Sequence, residues 1–254
     1  MNDLEKYFYH NKENAINKWL HYFDIYDLYF KKYRNQEIVI LEIGVFQGGS
    51  LKMWKNYFGE KVKIYAIDIN PLCKQFETDT IKIFIGSQED KNFLNQVKSQ
   101  IPKIDILIDD GGHTMQQQIV TFEEMYDHIK EGGIYLCEDL HTSYWTDYGG
   151  GYQNPNSFIE YSKNIIDYIH AWHVPNNLLP INKFTKSTYS IHYYDSVIIL
   201  EKKDIEHPQS KMIGEIKIPI ENFIFSSTET LSFWSKIRRK LSRFYNKAKS
   251  IFTH

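Results

Sequence analysis

Two short stretches hold most of the side chains able to do chemistry. "IDDGGH" (108 to 113) supplies Asp109, Asp110 and His113, and "YLCEDLH" (135 to 141) supplies Glu138 and Asp139. Each stretch ends an apolar, β-branched run. If the two runs are neighbouring strands of a parallel sheet, their ends lie about 5 Å apart, and four carboxylates converge in one crevice. Uncompensated, such a cluster repels itself and its pKa values rise. A hard divalent cation with oxygen ligands removes the repulsion, and Mg²⁺ typically takes a few carboxylates together with water or substrate oxygens. A single Asp at a strand end would read as a solvated terminus or a cap; two adjacent pairs on successive strands favour a shared role. His113 follows Asp110 by three residues, and histidine is the residue type most often used as a base near neutrality. Its plain alternative is a capping or surface histidine.

A second constellation precedes these. "EIGVFQGGS" (42 to 50) places Glu42, Gly44, Gly48 and Ser50 at a strand-to-helix turn. Glycines there let backbone approach a ligand, and the following helix start offers free N–H groups. Asp68 ends the next strand and is placed to accept hydrogen bonds from ribose hydroxyls. Together they indicate a nucleoside-containing cofactor. The G-x-G-x-x-G spacing of dinucleotide sites is absent, because Gly44, Gly48 and Gly49 do not fit it. The acidic first position and wider glycine gap instead resemble the first motif of class I S-adenosylmethionine-dependent methyltransferases. After the third strand, "GSQED" (86 to 90) offers Gln88 for an adenine edge, while Ser87 to Asp90 equally suits a helix N-cap and first turn. Methyl transfer to a sugar hydroxyl would use both remaining devices, a cation that lowers the hydroxyl's pKa and a base that takes its proton.

The elements that must position these groups are legible from periodicity. Apolar runs at 37 to 44, 61 to 68, 81 to 86, 103 to 109 and 132 to 139 alternate with polar, helix-compatible segments. That alternation predicts a Rossmann-like, doubly wound α/β fold with functional groups at the strands' C-terminal ends. "STYSIHYYDSVIILEK" predicts a hairpin around Asp195, an antiparallel edge that brings the sheet to seven strands. Upstream, "WLHYFDIYDLYF" (19 to 30) carries a helical apolar stripe that includes Trp19. Between strand five and a helix expected near 155 to 171 lies a long loop, 141 to 157, whose Tyr144, Trp145, Tyr148 and Tyr152 are expected to shape an acceptor pocket. The resulting division is an N-terminal helical segment (1 to 36), a cofactor-binding domain (37 to 202) and an extension (203 to 254).

Composition narrows the partners. A formal net charge of -2 over 254 residues offers no general attraction for nucleic acid or an anionic membrane. Two separated cysteines and an N-terminus without an apolar h-region suggest a reduced, cytoplasmic setting. The last 22 residues hold seven Lys or Arg and no acid, with apolar residues recurring from Phe233 to Ile251. A helix here fits peripheral contact with the inner membrane face, and fits packing against protein equally well.

The "D-D-G-x-H" stretch, the "E-D" pair at Glu138 and Asp139, the "E-I-G-V-x-x-G-G-S" loop and the "G-G-G" loop followed by Pro155 and an apolar helix resemble the Mg²⁺-dependent macrolide and rhamnosyl sugar O-methyltransferases, with the cephalosporin hydroxylase-like group as relatives. The likeness runs from about Trp19 to Glu201. It implies a class I methyltransferase fold, S-adenosylmethionine as donor, Mg²⁺ or another divalent cation on Asp110, Glu138 and Asp139, and His113 as general base. Two vicinal acceptor hydroxyls would complete the cation's coordination, and a homo-oligomer is expected. Asp109 is expected on the cofactor side. Relative to the macrolide enzymes, the sequence shows no counterpart of their long N-terminal domain, and its basic C-terminal stretch is its own. The implied reaction is O-methylation of a sugar or glycan acceptor, with bacterial surface polysaccharide or glycoside biosynthesis as the setting. Its rivals are a phosphate-type or antibiotic-like small-molecule acceptor, or a non-catalytic scaffold subunit.

Overall fold

Strands form where β-branched and aromatic residues can be buried on both faces. They are β1 (Val39–Ile43), β2 (Lys63–Asp68), β3 (Ile81–Ile85), β4 (Ile104–Asp109) and β5 (Ile129–Cys137), all paired in parallel. β6 (Thr188–Tyr194) and β7 (Val197–Lys202) make the expected hairpin, and β7 joins β5 antiparallel. The sheet order is β3-β2-β1-β4-β5-β7-β6. The computed structural model describes residues 1–215 and 217, and the sheet belongs to the unit Met1–Pro208. The basic stretch 233–254 lies outside the described residues. No described helix is long and apolar enough to cross a membrane.

Helices α1 (Asp3–His10), α2 (Tyr22–Phe30) and α3 (Gly49–Phe58) cover one face of the sheet; α4 (Lys91–Gln100), α5 (Met115–Met125), α6 (Phe158–Ile169) and α7 (Lys183–Ser187) cover the other. The strands' period of two sorts the core accordingly. Ile40, Ile106, Ile108, Leu136 and Ile199 pack with Tyr26, Phe30 and Trp54. Leu41, Leu107, Tyr135, Ile198 and Leu200 pack with Phe122, Tyr126 and Phe184. This alternation also sets the direction of the acids inside the strands. Glu42 points with Ile40 beneath α3, and Asp109 points with Leu107 toward α4 and α5.

The N-terminal segment departs from its expected form. The stripe read from Trp19 onward becomes helical only at Tyr22, and Trp19 is 56% exposed. Residues 11–21 form no helix or strand but a strap across the strand ends. Asn14 Nδ2 donates to Gln47 O (2.7 Å) and Lys52 pairs with Glu13 (2.6 Å), so the strap is tied to the start of α3.

Candidate active site

β1 lies between β2 and β4, where the chain's winding direction reverses and a crevice opens beyond the strand ends. The hydrogen-bond ladder continues past the strands there. Gly44 N–H donates to Ile67 O (2.9 Å), Asp110 N–H to Ile43 O (3.0 Å) and Glu138 N–H to Asp109 O (2.9 Å), holding the three loops side by side. Asp68 shapes the first loop: one carboxylate oxygen accepts from Val45 N–H (2.8 Å) and Phe46 N–H (3.2 Å), the other from Asn70 N–H (2.8 Å). Gly48, with φ of 73°, begins α3 in a conformation that suits glycine.

Beneath this loop lies a cavity of about 480 Å³, within the usual range for small-molecule sites. Gly44, Ser50, Asp68, Gln88 and Asp110 line it, and the strap closes it with residues 15–18. Of the residues assigned to the cofactor from sequence, Glu42, Gly48 and Asp109 do not line it. Glu42 is fully buried and accepts from Ser50 Oγ (3.0 Å) and Trp54 Nε1 (2.9 Å), which fastens the first turns of α3 to β1. Burial raises its carboxyl to about 7, against the opposing pull of Lys18. Asp109 accepts from Gln88 Nε2 (3.0 Å), and burial raises it to about 7 as well. Gln88 also takes Gly112 N–H on its oxygen (2.8 Å), so it braces the "DDGGH" turn from behind while presenting an edge to the cavity. Asp90, two residues on, caps α4.

Asp110, His113 and Asp139 come together, with one ligand atom of each within 4.8 Å of the others. His113 Nε2 is 3.4 Å from Asp139 Oδ2 and 3.9 Å from Asp110 Oδ1, while the buried Nδ1 has no partner. His113 and Asp139 have φ of 58° and 56°, each costing on the order of 1–3 kcal/mol. Thr142 fastens both strained residues: its hydroxyl lies 2.9 Å from His113 O and 2.8 Å from Asp139 O. Glu138 is turned inward, where Tyr26 Oη donates to Oε1 (2.6 Å).

The decisive neighbour is Lys18, which sequence reading missed. Its ammonium donates to Asp110 Oδ2 and to Glu138 Oε2 (2.8 Å), with a side chain only 2% exposed. Burial works against its charge, but Asp110, Glu138 and Glu42 outweigh that and hold its pKa above the ordinary lysine value. One ammonium balances one carboxylate of the two. Burial and the charge of Asp110 accordingly push Glu138 upward.

Lys18 and Asp110 also line a second cavity, of about 290 Å³, with Trp19, Tyr22, Glu138 and Asp139. The two cavities therefore share a wall. The oxygen-rich set of Asp110, Glu138 and Asp139 suits a hard divalent cation, provided Lys18 yields space between the first two. Trp19, the other missed residue, stands edge-on to His141 (5.7 Å between ring centres), which in turn meets Trp145 (4.6 Å). The only sequence signal for either was a Lys-Trp pair at the start of an apolar stripe. The four loop aromatics do not share one pocket. Tyr144 lines a cavity with His141 and Tyr193, Tyr148 lines one with Met115 and Tyr161, and Tyr152 is 80% exposed.

No family model matches the chain. Among curated proteins, mycinamicin VI 2''-O-methyltransferase of Micromonospora griseorubida is 33% identical over 72% of this chain and 49% of its own length. The 8-demethyl-8-(2-methoxy-alpha-L-rhamnosyl)-tetracenomycin-C 3'-O-methyltransferase of Streptomyces olivaceus is 33% identical over 74% of this chain and 52% of its own. The chain thus spans about half the length of the curated relatives it matches. The crystallised MycE methyltransferase from the mycinamycin biosynthetic pathway, in complex with Mg and SAH, superposes with a TM-score of 0.71 at 30% identity, covering 80% of this chain and 54% of that one. The chain has the class I methyltransferase fold and is a homologue of the sugar O-methyltransferases of macrolide and tetracenomycin pathways.

Proposed function

We propose that this protein transfers a methyl group from S-adenosylmethionine to a hydroxyl of a sugar with vicinal hydroxyls, assisted by a divalent cation. The observation that carries the reading is the shared wall: Asp110 belongs both to the cavity under the glycine loop and to the acid-lined cavity beside it. A donor in the first and an acceptor in the second would meet across it. The homologues' named reactions support the same chemistry.

In this reading S-adenosylmethionine supplies the electrophilic methyl, and Gly44, Ser50, Asp68 and Gln88 hold it, with the one acceptor site that Asp68 keeps on Oδ1 after its three backbone N–H bonds taking a ribose hydroxyl. Glu42, Gly48 and Asp109 act behind the wall, setting the positions of α3 and Gln88. Asp110, Glu138 and Asp139 would hold the divalent cation, whose Lewis acidity would lower the hydroxyl's pKa. His113 takes the hydroxyl proton on Nε2, and the nearby carboxylates of Asp139 and Asp110 stabilise the imidazolium that results. Trp19 and Trp145 provide aromatic faces for the sugar. The homo-oligomer is proposed on the resemblance alone.

The test is mass spectrometry of nucleotide-linked sugars, glycosides and surface-glycan fragments after incubation with protein, S-adenosylmethionine and Mg²⁺. The expected result is a one-methyl gain on a diol-bearing sugar that EDTA abolishes. Methylation that survives full chelation would remove the cation from the scheme, and binding of S-adenosylmethionine without transfer to any acceptor would point to a scaffold subunit.

A further inference from the structure

We infer that Lys18 is a built-in competitor for the divalent cation: its ammonium occupies the place between Asp110 and Glu138 and must withdraw when a cation is bound there. The inference rests on the reading above that these carboxylates hold a cation. Lys18 Nζ donates to Asp110 Oδ2 and to Glu138 Oε2 (2.8 Å). A cation at Mg²⁺ coordination distance, about 2.0–2.1 Å from carboxylate oxygens, cannot share those two oxygens with an ammonium lying between them. Like charges at such separation also repel strongly beside the buried Lys18 and Glu138 side chains. The lysine has a second consequence. Without a cation it keeps the buried carboxylate of Glu138 and the half-buried one of Asp110 from facing each other uncompensated, so the acid site stays assembled.

Lys18 is carried on the strap, and the strap is what makes the displacement informative. Asn17 and Lys18 line both cavities, and Ala15 and Ile16 line the larger one. Withdrawal of Lys18 therefore shifts the wall of the cavity assigned to the donor, and the two sites become linked through residues 15–18. A monovalent ion carries no more charge than the ammonium it would replace, so the arrangement favours divalent ions.

The test is calorimetric titration of the full chain with Mn²⁺, comparing wild type with Lys18→Met. The expected result is at least tenfold tighter binding by the variant. Equal or weaker binding by K18M, with wild type binding normally, would overturn this inference alone. Binding by neither protein would overturn it together with the cation in the proposed reaction. Binding by the variant only would uphold competition and overturn the cation in the proposed reaction of the native chain. Should the variant not fold, wild type answers the same question through amine acetylation read by peptide mass spectrometry. Lys18, protected in metal-free protein, should become reactive when Mn²⁺ is added, and unchanged protection would refute displacement.

Discussion

Replacing Gly44 by alanine should unlatch the two loops on which the site depends. Gly44 has φ of 93°, where an L residue costs about 1–2 kcal/mol. A Cβ built there would lie 2.8 Å from the Asp110 carbonyl carbon and 3.2 Å from Gly111 Cα, and closer still to the Asp110 oxygen. Comfortable carbon contacts begin near 3.5 Å, so β1 and β4 must separate at their ends by about 1 Å. That movement strains the Gly44 N–H to Ile67 and Asp110 N–H to Ile43 hydrogen bonds, each contributing about 1 kcal/mol. Together these terms give a loss of about 3–4 kcal/mol, or roughly 10 °C in melting temperature for a domain of this size. Thermal melts followed by circular dichroism, with calorimetric binding of S-adenosylhomocysteine, measure both effects. A melting temperature within about 2 °C of wild type, with unchanged ligand affinity, would refute the claim that close approach of Gly44 and Asp110 builds the site.

Three further outcomes are expected. Asp68→Asn should weaken S-adenosylhomocysteine binding roughly 10- to 100-fold, the size of a hydrogen bond to a charged group, and calorimetry showing no change would remove Asp68 from the cofactor site. His113→Ala should lower turnover by about 10²–10⁴ while leaving that affinity nearly intact; a variant retaining full turnover would exclude it as base. Glu42 links stability to pH. Its carboxyl is raised from 4.5 to about 7 in the folded chain, so unfolding releases a proton and stability falls as pH rises between those values, by about 3 kcal/mol at most. Urea melts near pH 5 and pH 8 should show a smaller difference for Glu42→Gln than for wild type, and equal differences would mean that Glu42 titrates normally.

The strands, the edge hairpin around Asp195, α6 and the gathering of the glycine loop with both acid pairs were all legible in the sequence. Each rests on short-range pattern: β-branched runs, 3.6-residue stripes, turn residues, and the rule that parallel strands deliver their ends to one side. Adjacent acids were harder to tell apart. Asp109 and Asp110 differ only in whether the residue still belongs to the strand, and that decides between a side chain committed to Gln88 and one facing both cavities. Glu42 is buried for the same reason. Lys18 gave no such signal, and the stripe assigned Trp19 to a helix that begins only at Tyr22, because the significance of both comes from partners far along the chain. Lys18 meets Asp110 and Glu138 across 92 and 120 residues, through a strap whose path follows from its ties to α3 rather than from any periodicity of its own. The sequence by itself thus determined the sheet, its winding and the crevice where acids, histidine and glycine loop assemble, since local propensity and strand topology suffice for that. Only the tertiary structure decided which acids face the crevice and that a lysine already stands among them, because charge compensation depends on distance in space and not on separation along the chain.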